Sequence, residues 1–385
     1  MLSFWERETF FTNVDVCIIG AGLVGLSAAL QLKQKEPPLN IIVAERAPLP
    51  YGASSRNAGF ACFGSVSEIL EDIRNSDEQT VLALIEKRWK GLQLLKKNVG
   101  EENLGIEYLG GNEIFLDTEK EFFEKCSDEI NALNKNLKAI IGSEKIFSNA
   151  DEKIAEFGLG KVEHLIHNGF EAQINTGKMM KTLLQKVQQH GVQILFGLKI
   201  ENIFDEVPLS FGEGLGVRLQ TNDFNFVAKK VLICTNGFAN QLLPNIDVKP
   251  ARAQVLITKP IRNLKIKGTF HYQAGFYYFR NVGDRVLFGG GRNLAFEEET
   301  TAEIALTDLI QKQLDKILKE TILPKNEFEI DMRWSGIMGV GNEKLPIVKW
   351  LNSSTAVALR CNGMGVALGS QTGTDGANLI LESGI

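Results

Sequence analysis

Apolar residues form two short continuous runs near the start of the chain, one on each side of a segment with helical periodicity. The runs at 14–19 (VDVCII) and 40–44 (NIIVA) have the length and β-branched content of buried strands. Between them, residues 23–34 place leucines and alanines on one face of a helix. Because a helical crossover joins strands that run in the same direction, this pattern predicts a parallel strand–helix–strand unit.

The same two kinds of pattern recur along the rest of the chain. Amphipathic periodicity predicts helices over 80–97, 119–138, 176–190 and 301–319. The last of these is expected to begin at a capping box of Thr300 and Glu303. Apolar runs predict strands over 193–196, 230–234, 252–258, 276–280, 285–289 and 356–360. The segment 281–284 (NVGD) has the composition of a hairpin turn, so an antiparallel sheet is expected in this part of the chain.

Composition places the chain among globular proteins of two or three compact units. Its 385 residues are 44% hydrophobic and 23% charged, and the net charge of −5 comes without a basic run, which argues against nucleic acid as a partner. Five widely spaced cysteines without a CxxC pair predict reduced thiols and a cytoplasmic location. We see no signal peptide and expect no membrane span. The oligomeric state is not predicted.

The turn after the first strand has the spacing G-x-G-x-x-G, formed by Gly20, Gly22 and Gly25. Such glycines allow a tight turn, the approach of a pyrophosphate to the backbone, and close packing of helix on strand. The N-terminus of the following helix supplies free N–H donors and a partial positive charge for the phosphates. Glu45 ends the second strand, where a carboxylate accepts hydrogen bonds from ribose hydroxyls. A dinucleotide site is therefore predicted, with NAD or FAD left open by this motif.

Further motifs follow in order along nearly the whole chain. They are 51–60 (YGASSRNAGF), 173–176 (QINT), 233–237 (ICTNG), Tyr277-Tyr278 with 287–290 (LFGG), and 363–368 (GMGVAL). With them the chain resembles the FAD-dependent D-amino-acid oxidase superfamily, in its branch of glycine oxidase, sarcosine oxidase and γ-glutamylputrescine oxidoreductase. The resemblance implies an α/β fold with a Rossmann-like FAD-binding domain and an interleaved antiparallel-sheet substrate domain.

The resemblance also implies roles for individual residues. The cofactor-binding residues that we expect, including those of the glycine motif, are Gly20, Gly22, Leu23, Val24, Gly25, Glu45, Arg46, Ser54, Ser55, Arg56, Asn57, Ala58, Gly59, Ile200, Thr235, Asn236, Gly237, Gly363, Met364, Gly365, Val366, Ala367 and Leu368. Within this set, Ile200 matches the strand residue whose backbone meets adenine. Residues 363–368 match the loop and helix start that offer N–H donors to the flavin, where they would stabilise the charge of its reduced form.

The chain departs from the branch at two positions. Glycine oxidases carry an arginine shortly after a Trp-x-Gly, and it pairs the substrate carboxylate, whereas Met338 stands there after Trp334. Sarcosine oxidases carry an oxygen-activating lysine where Leu287 stands, and the cysteine that tethers their flavin has no match. These differences put a simple α-amino acid and oxygen as acceptor in doubt, and they favour non-covalent FAD. The missing charge is expected from Arg280, Arg333 or Arg360.

Candidate substrate residues come from the alternating strand at 276–280. Tyr278 and Arg280 share one face of it, and with Trp334 and Met338 they are our candidates for meeting the substrate. We assign no catalytic residue, and we place His271 at the surface. No metal site is expected, because the pair His164 and His167 lacks neighbouring ligands.

Together these observations define one main hypothesis. Residues 1–80, 148–247 and 334–385 would form the FAD-binding domain, and 81–147 and 248–333 the substrate domain. A small primary or secondary amine or amino acid would lose a hydride to flavin N5, and the imine would then hydrolyse. The alternatives are amine oxidation on modified tRNA, a non-catalytic flavoprotein and an NAD-dependent dehydrogenase.

Overall fold

The computed structural model describes residues 1–208 and 215–384, so the parts of the predicted domains at 209–214 and 385 lie outside the described residues. The helices α1 to α11 span Phe4–Phe10, Leu23–Lys35, Ala53–Arg56, Val66–Asn75, Glu78–Val99, Glu101–Leu104, Lys120–Ile141, Ile154–Phe157, Thr176–Gln189, Asp308–Ile317 and Gly365–Glu382. The strands β1 to β18 span Val14–Ile19, Ile41–Glu45, Phe60–Ala61, Gly111–Leu116, Phe147–Asn149, Val162–Asn168, Ala172–Gln173, Gln193–Phe196, Ile200–Pro208, Leu215–Thr221, Asn225–Ile233, Lys249–Thr258, Thr269–Tyr272, Tyr277–Val282, Arg285–Gly290, Ile330–Val340, Ile347–Trp350 and Thr355–Leu359.

The first sheet has a parallel centre, with the order β18-β11-β1-β2-β8. Each neighbouring pair in that order runs parallel, while β17 and β10 add antiparallel partners to β18 and β11. Strands β1, β2 and β18 are apolar and almost entirely buried, as expected of strands covered on both faces. The helices α2 and α11 pack together on this sheet, which agrees with the predicted Rossmann-like arrangement.

The second sheet is largely antiparallel, in the order β16-β12-β15-β14-β13-β4-β6-β5, with β13 and β4 as a parallel pair. The predicted hairpin forms, since Val282 pairs with Arg285 across a turn at Gly283 and Asp284. Strands β5, β6 and β16 belong to this sheet, although most of their residues lie in ranges that the sequence assigned to the FAD-binding domain. The division of the chain into two domains stays a prediction.

One predicted helix was placed wrongly at its start. Residues 301–307 are not helical, and α10 begins at Asp308 instead of at a capping box of Thr300 and Glu303. The preceding segment is held against the second sheet, because the carboxylate of Glu299 is buried in an ion pair with Arg252 at 2.8 Å. These long-range contacts outweigh the local capping preference of the sequence.

The cysteines and the helix lengths can be compared with what the composition predicts. The five cysteines are buried and none forms a disulfide within the described residues. None of the helices in that part of the chain combines the length and the apolar content needed to cross a bilayer.

Candidate functional site

The glycine motif forms a backbone cradle at the start of α2. Gly20 has a φ of +107°, a conformation that L side chains rarely adopt. A Cβ at Gly25 would overlap the carbonyl oxygen of Gly20, so this position has no room for a side chain. Gly22 precedes the helix without a side-chain cap, and the N–H of Leu23 is bonded to Ser54. The next N–H groups of α2, those of Val24 and Gly25, have no hydrogen-bond partner among the described residues and are available to a ligand. This geometry is the one expected of a pyrophosphate site.

Glu45 ends β2 beside this cradle. Its carboxylate accepts hydrogen bonds from the N–H groups of Ala21 and Ala47, both at 3.0 Å. A carboxylate has capacity for further bonds, so two ribose hydroxyls can still be accommodated. Arg46 stacks over the ring of Phe238 at 3.8 Å, and the pKa of its guanidinium is lowered by burial. Phe238 was not recognised as a site residue, because aromatic residues in loops carry no sequence signal of their own.

The loop at 54–59, which begins with the last three residues of α3, is fixed by bonds to α2 and to the second sheet. The hydroxyl of Ser54 accepts the N–H of Leu23 at 2.9 Å, which joins the loop to the cradle. Trp334 of β16 donates its indole N–H to the carbonyl of Arg56 at 3.0 Å. Arg280 of β14 donates to the carbonyls of Ala58 and, at 3.0 Å, Ile174. These side chains of the second sheet therefore position the loop from behind.

A single cavity of about 1820 Å³ runs from the cradle to the second sheet. It is lined by most of the predicted cofactor residues, namely Gly20, Gly22, Leu23, Val24, Glu45, Arg46, Ser54, Arg56, Asn57, Ala58, Gly59, Ile200, Thr235, Asn236, Gly237, Gly363, Met364, Gly365, Val366 and Ala367. The predicted residues outside its lining are Gly25, Ser55, Leu368, Arg280 and Trp334. The structure thus brings together segments that are more than 300 residues apart in the sequence.

Two observations test whether a dinucleotide fits this cavity. The N-terminus of α11 opens onto it after a loop in which Asn362 and Gly363 have positive φ, and no side chain caps that helix. The buried hydroxyl of Thr235 also lines the cavity and lacks a hydrogen-bond partner among the described residues. Two uncapped helix starts and an unpaired hydroxyl around one elongated space fit a ligand with phosphates and several carbonyl groups.

The wall opposite the cradle is aromatic. Tyr278 lines the cavity, and burial raises its pKa to about 12, so the phenol is neutral. The ring of Phe60 meets that of Tyr278 edge to face at 5.7 Å. Met338 lines the cavity beside Gly363, and Leu287 is buried against Ala58. The two positions that depart from the branch therefore lie near the predicted flavin loop, and both carry uncharged side chains.

Beside the aromatic wall lies a charged cluster, and it corrects the placement of His271 at the surface. His271 is buried, its Nε2 lies 2.7 Å from Glu171, and its Nδ1 lies 3.5 Å from Glu68. Burial alone would lower the pKa of His271, but the carboxylates of Glu171 and Glu68 outweigh it and raise that pKa to about 9. No local sequence pattern indicates this cluster, because its members come from separate elements.

The same cluster includes Cys62, and burial raises the pKa of its thiol well above the ordinary value. Cys62, Glu171 and His271 each bring a candidate metal-ligand atom within 4.8 Å of the others. The hydrogen bond between Glu171 and His271 already uses two of these atoms, so we interpret the group as an ion pair. His164 and His167 are bonded instead to Asp151 and Asn112.

Three arginines were expected to replace the missing charge, and the structure places none of their side chains in the cavity lining. Arg280 bonds two carbonyls, Arg333 pairs with Asp315 at 2.6 Å, and Arg360 pairs with Asp247 and Glu343. The cavity lining does include Arg292, for which no motif in the sequence predicts a role.

Arg292 follows β15 and has no ion-pair partner among the described residues. Its buried Nε lacks a hydrogen bond, one terminal nitrogen donates to Thr300 at 3.3 Å, and the guanidinium lies over the ring of Phe296 at 5.0 Å. Burial lowers its pKa, but an arginine keeps its charge at neutral pH. A free guanidinium of this kind is suited to a carboxylate.

Comparison with known proteins gives consistent results. A family model described as FAD dependent oxidoreductase, DAO, matches residues 15–379. The chain is 21% identical to gamma-glutamylputrescine oxidoreductase of Escherichia coli, over 91% of this chain and 80% of that protein. Its fold is similar to L-proline dehydrogenase from P. horikoshii, with a TM-score of 0.76 at 17% identity over 96% of this chain and 94% of that one. Glycine oxidase from Bacillus cereus gives a TM-score of 0.73 at 17% identity, over 96% and 95% of the two chains.

Proposed function

This chain belongs to the DAO family of FAD-dependent oxidoreductases, and on that premise we propose that it oxidises a primary or secondary amine or an amino acid. The family and the dependence on FAD predicted from the sequence motifs are confirmed. The NAD-dependent alternative is thereby excluded. The proposed class of substrate is supported by the residues that line the cavity.

The residues that would hold FAD follow from the geometry of the cradle. The N–H groups of α2 that follow Leu23 and the hydroxyl of Ser54 would face the diphosphate, and Glu45 would accept the ribose hydroxyls. The start of α11 and the loop at 57–59 would face the ring system. When bound, FAD supplies the acceptor for a hydride from the carbon next to the substrate nitrogen. We propose that it is held without a covalent bond.

The single observation that carries the proposal is the continuity of one cavity from this cradle to the aromatic wall. Phe60 and Tyr278 face the space beyond the loop at 54–59, so a substrate there is enclosed between rings and the FAD site. Such a wall excludes water and orients an alkyl amine, which is most of what hydride transfer requires of the protein. The imine that results hydrolyses in water.

A panel of reductants tests the proposal. The purified protein is examined for flavin absorbance and mixed without oxygen with primary amines, secondary amines, amino acids and bulk tRNA. We expect a small amine or amino acid to bleach the flavin. Dithionite in the same cuvette serves as the control that the flavin can be reduced. Bleaching by dithionite alone would contradict the proposal and favour a non-catalytic flavoprotein, and bleaching by tRNA alone would favour a modified nucleoside.

Within this function, Arg292 favours substrates that carry a carboxylate. Phe276 lines the cavity together with Tyr278, and its ring meets that of Phe296, over which Arg292 lies, at 5.8 Å. A carboxylate bound at Arg292 would therefore lie in the same cavity as the aromatic wall. This position differs from that of Met338, so the absence of an arginine at Met338 does not exclude an acidic substrate.

A further inference from the structure

One carboxylate of the charged cluster reaches the cavity. Glu68, near the start of α4, has 23% of its side chain exposed, whereas Glu171 has 1% and His271 has 6%. Its Oε2 accepts the N–H of Ser65 at 2.9 Å, while its Oε1 forms no hydrogen bond with any described residue. A bound molecule can therefore approach Glu68 through an acceptor that the protein leaves unused.

The backbone next to this oxygen leaves room for it, because it has no side chain at Gly275. Gln273, Ala274 and Gly275 all have positive φ, and a Cβ at Gly275 would overlap Oε1 of Glu68. Two successive non-glycine residues in this conformation store strain, and such strain is found chiefly where function requires it. The turn at 273–275 thus opens the space that Glu68 occupies.

The charges around Glu68 leave the cluster negative. The imidazolium of His271 balances one of the two carboxylates, Glu68 and Glu171, that it contacts. The nearby cations Arg88 and Lys344 both pair with Asp72, and the further carboxylate of Glu113 has no cation partner among the described residues. Four carboxylates therefore stand against three cations, and the one remaining negative charge beside the cavity attracts a cation.

The surroundings of this charge are aromatic. The ring of Phe60 meets the rings of both His271 and Tyr278 edge to face, at 5.3 Å and 5.7 Å. A carboxylate next to aromatic rings is the combination that recognises an alkylammonium group, through a charged hydrogen bond and contacts with ring faces. The site therefore suits the protonated form in which amines exist at neutral pH.

We propose that Glu68 binds the substrate ammonium beside the aromatic rings, with His271 as the positioning residue. This inference rests on the proposed function. The proton that must leave before oxidation passes from the substrate nitrogen to water, and the nitrogen keeps its electron pair. That pair then forms the C=N bond as the carbon loses its hydride to FAD, so charges and electrons balance.

Binding of a simple cation tests the site without catalysis. tert-Butylamine has no hydrogen on the carbon next to nitrogen and so cannot be oxidised there. It and tert-butanol, which has the same alkyl group, are titrated calorimetrically into the FAD-loaded protein and into Glu68→Gln. The glutamine keeps an oxygen for the Ser65 N–H and removes only the charge. We expect tert-butylamine to bind about 10- to 100-fold more weakly to the variant, since a charged hydrogen bond is lost, and tert-butanol to be unaffected. Equal binding of tert-butylamine to both proteins, or no preference of the native protein for tert-butylamine over tert-butanol, would overturn the proposal.

Glu71→Gln is the matched control, because it removes the same charge from the same helix and the same cavity. A loss of tert-butylamine binding as large in this variant would mean that only the overall field matters, and it would overturn the assignment to Glu68. Flavin retention by all variants shows that they are folded. If no amine or amino acid reduces the native flavin, the proposed function fails even where this binding test succeeds. If one does and Glu68→Gln is reduced at the native rate at every substrate concentration, this inference alone fails.

The pH dependence of tert-butylamine binding tests the role of His271. The groups that face Glu68 are His271, Glu171, Glu113, Arg88, Lys344 and Cys62. Burial acts to raise the pKa of Glu68, but His271, the Ser65 N–H and Arg88 together lower it. As the pH falls, Glu68 takes up a proton and tert-butylamine binding is lost. In His271→Gln we expect this loss to occur at a higher pH than in the native protein, because the cation that favours ionised Glu68 is gone. An unchanged profile would refute the positioning role.

Discussion

The cradle at 20–25 and the aromatic wall lie on opposite sides of one cavity, but they are built in different ways. The cradle uses consecutive residues whose backbone would face the ligand, so its geometry follows from three glycines and a helix start. The aromatic wall and the charged cluster beside it combine side chains from β3, α4, β13 and β14, which meet only in the folded chain. The proposed cofactor site therefore depends on a conformation that a short motif encodes, whereas the proposed substrate site depends on long-range packing.

The largest expected effect breaks the cradle. In Gly25→Ala the new methyl group would overlap the carbonyl of Gly20, so helix α2 must move from β1. We expect loss of FAD from the purified protein and about 3 kcal/mol less free energy of unfolding, the upper end for overpacking. Urea denaturation and the flavin-to-protein ratio measure both. Gly169→Ala is the control, because nothing lies within 4 Å of a Cβ there. Full flavin content in Gly25→Ala would show that the cradle tolerates movement.

The next effect weakens the acceptor beside the cradle. Glu45→Gln keeps the side-chain length but replaces one carboxylate oxygen by an NH2 group, which cannot accept the N–H of Ala21 or Ala47. Hydrogen bonds to charged groups are worth roughly 1.5–3 kcal/mol, so FAD affinity should fall about 10- to 100-fold. Equilibrium dialysis of the apoprotein against FAD measures this change. A variant that purifies with complete flavin occupancy and native affinity would show that Glu45 does not meet the ribose.

A smaller effect is expected from Arg292, on the same side of the comparison as the aromatic wall. Arg292→Leu removes the guanidinium that has no ion-pair partner in the described chain and keeps an apolar side chain over Phe296. We expect KM for a substrate with a carboxylate to rise about 10-fold, with little change for an amine that lacks one. Steady-state kinetics with a matched pair of such substrates measures the difference. Equal changes for both substrates would indicate that Arg292 supports the wall without binding a carboxylate.

The smallest effect concerns the stability that the fold gains from the ion pair of the charged cluster beside the wall. The pKa of His271 is raised from 6.5 to about 9, because the carboxylates of Glu171 and Glu68 outweigh burial. This pair therefore stabilises the fold fully below about pH 6.5 and loses its contribution as the pH rises through about 9. We expect Tm to fall by a few degrees over that interval and to fall less in His271→Gln. Parallel slopes for the two proteins would refute this account.

What the sequence predicts well follows the same division. The strand–helix–strand unit, the cradle and the antiparallel hairpin depend on local patterns, and the structure has each of them where expected. His271 was placed at the surface because the sequence around a single polar residue does not indicate the distant carboxylates with which it pairs in the interior. The start of α10 was missed for a similar reason, since Glu299 holds the preceding segment through Arg252. Arg292 and Glu68 also lacked any motif.

The order of strands in the first sheet has a consequence for synthesis of the protein. β1 lies next to β11, β11 lies next to β18, and α11 covers α2 and opens onto the cradle. The proposed nucleotide site thus combines residues 20–24 with residues 363–367, and the nascent chain cannot close it until the latter have left the ribosome. Until then the face of α2 that α11 covers stays exposed, and exposed apolar surface of this kind favours aggregation of the incomplete chain.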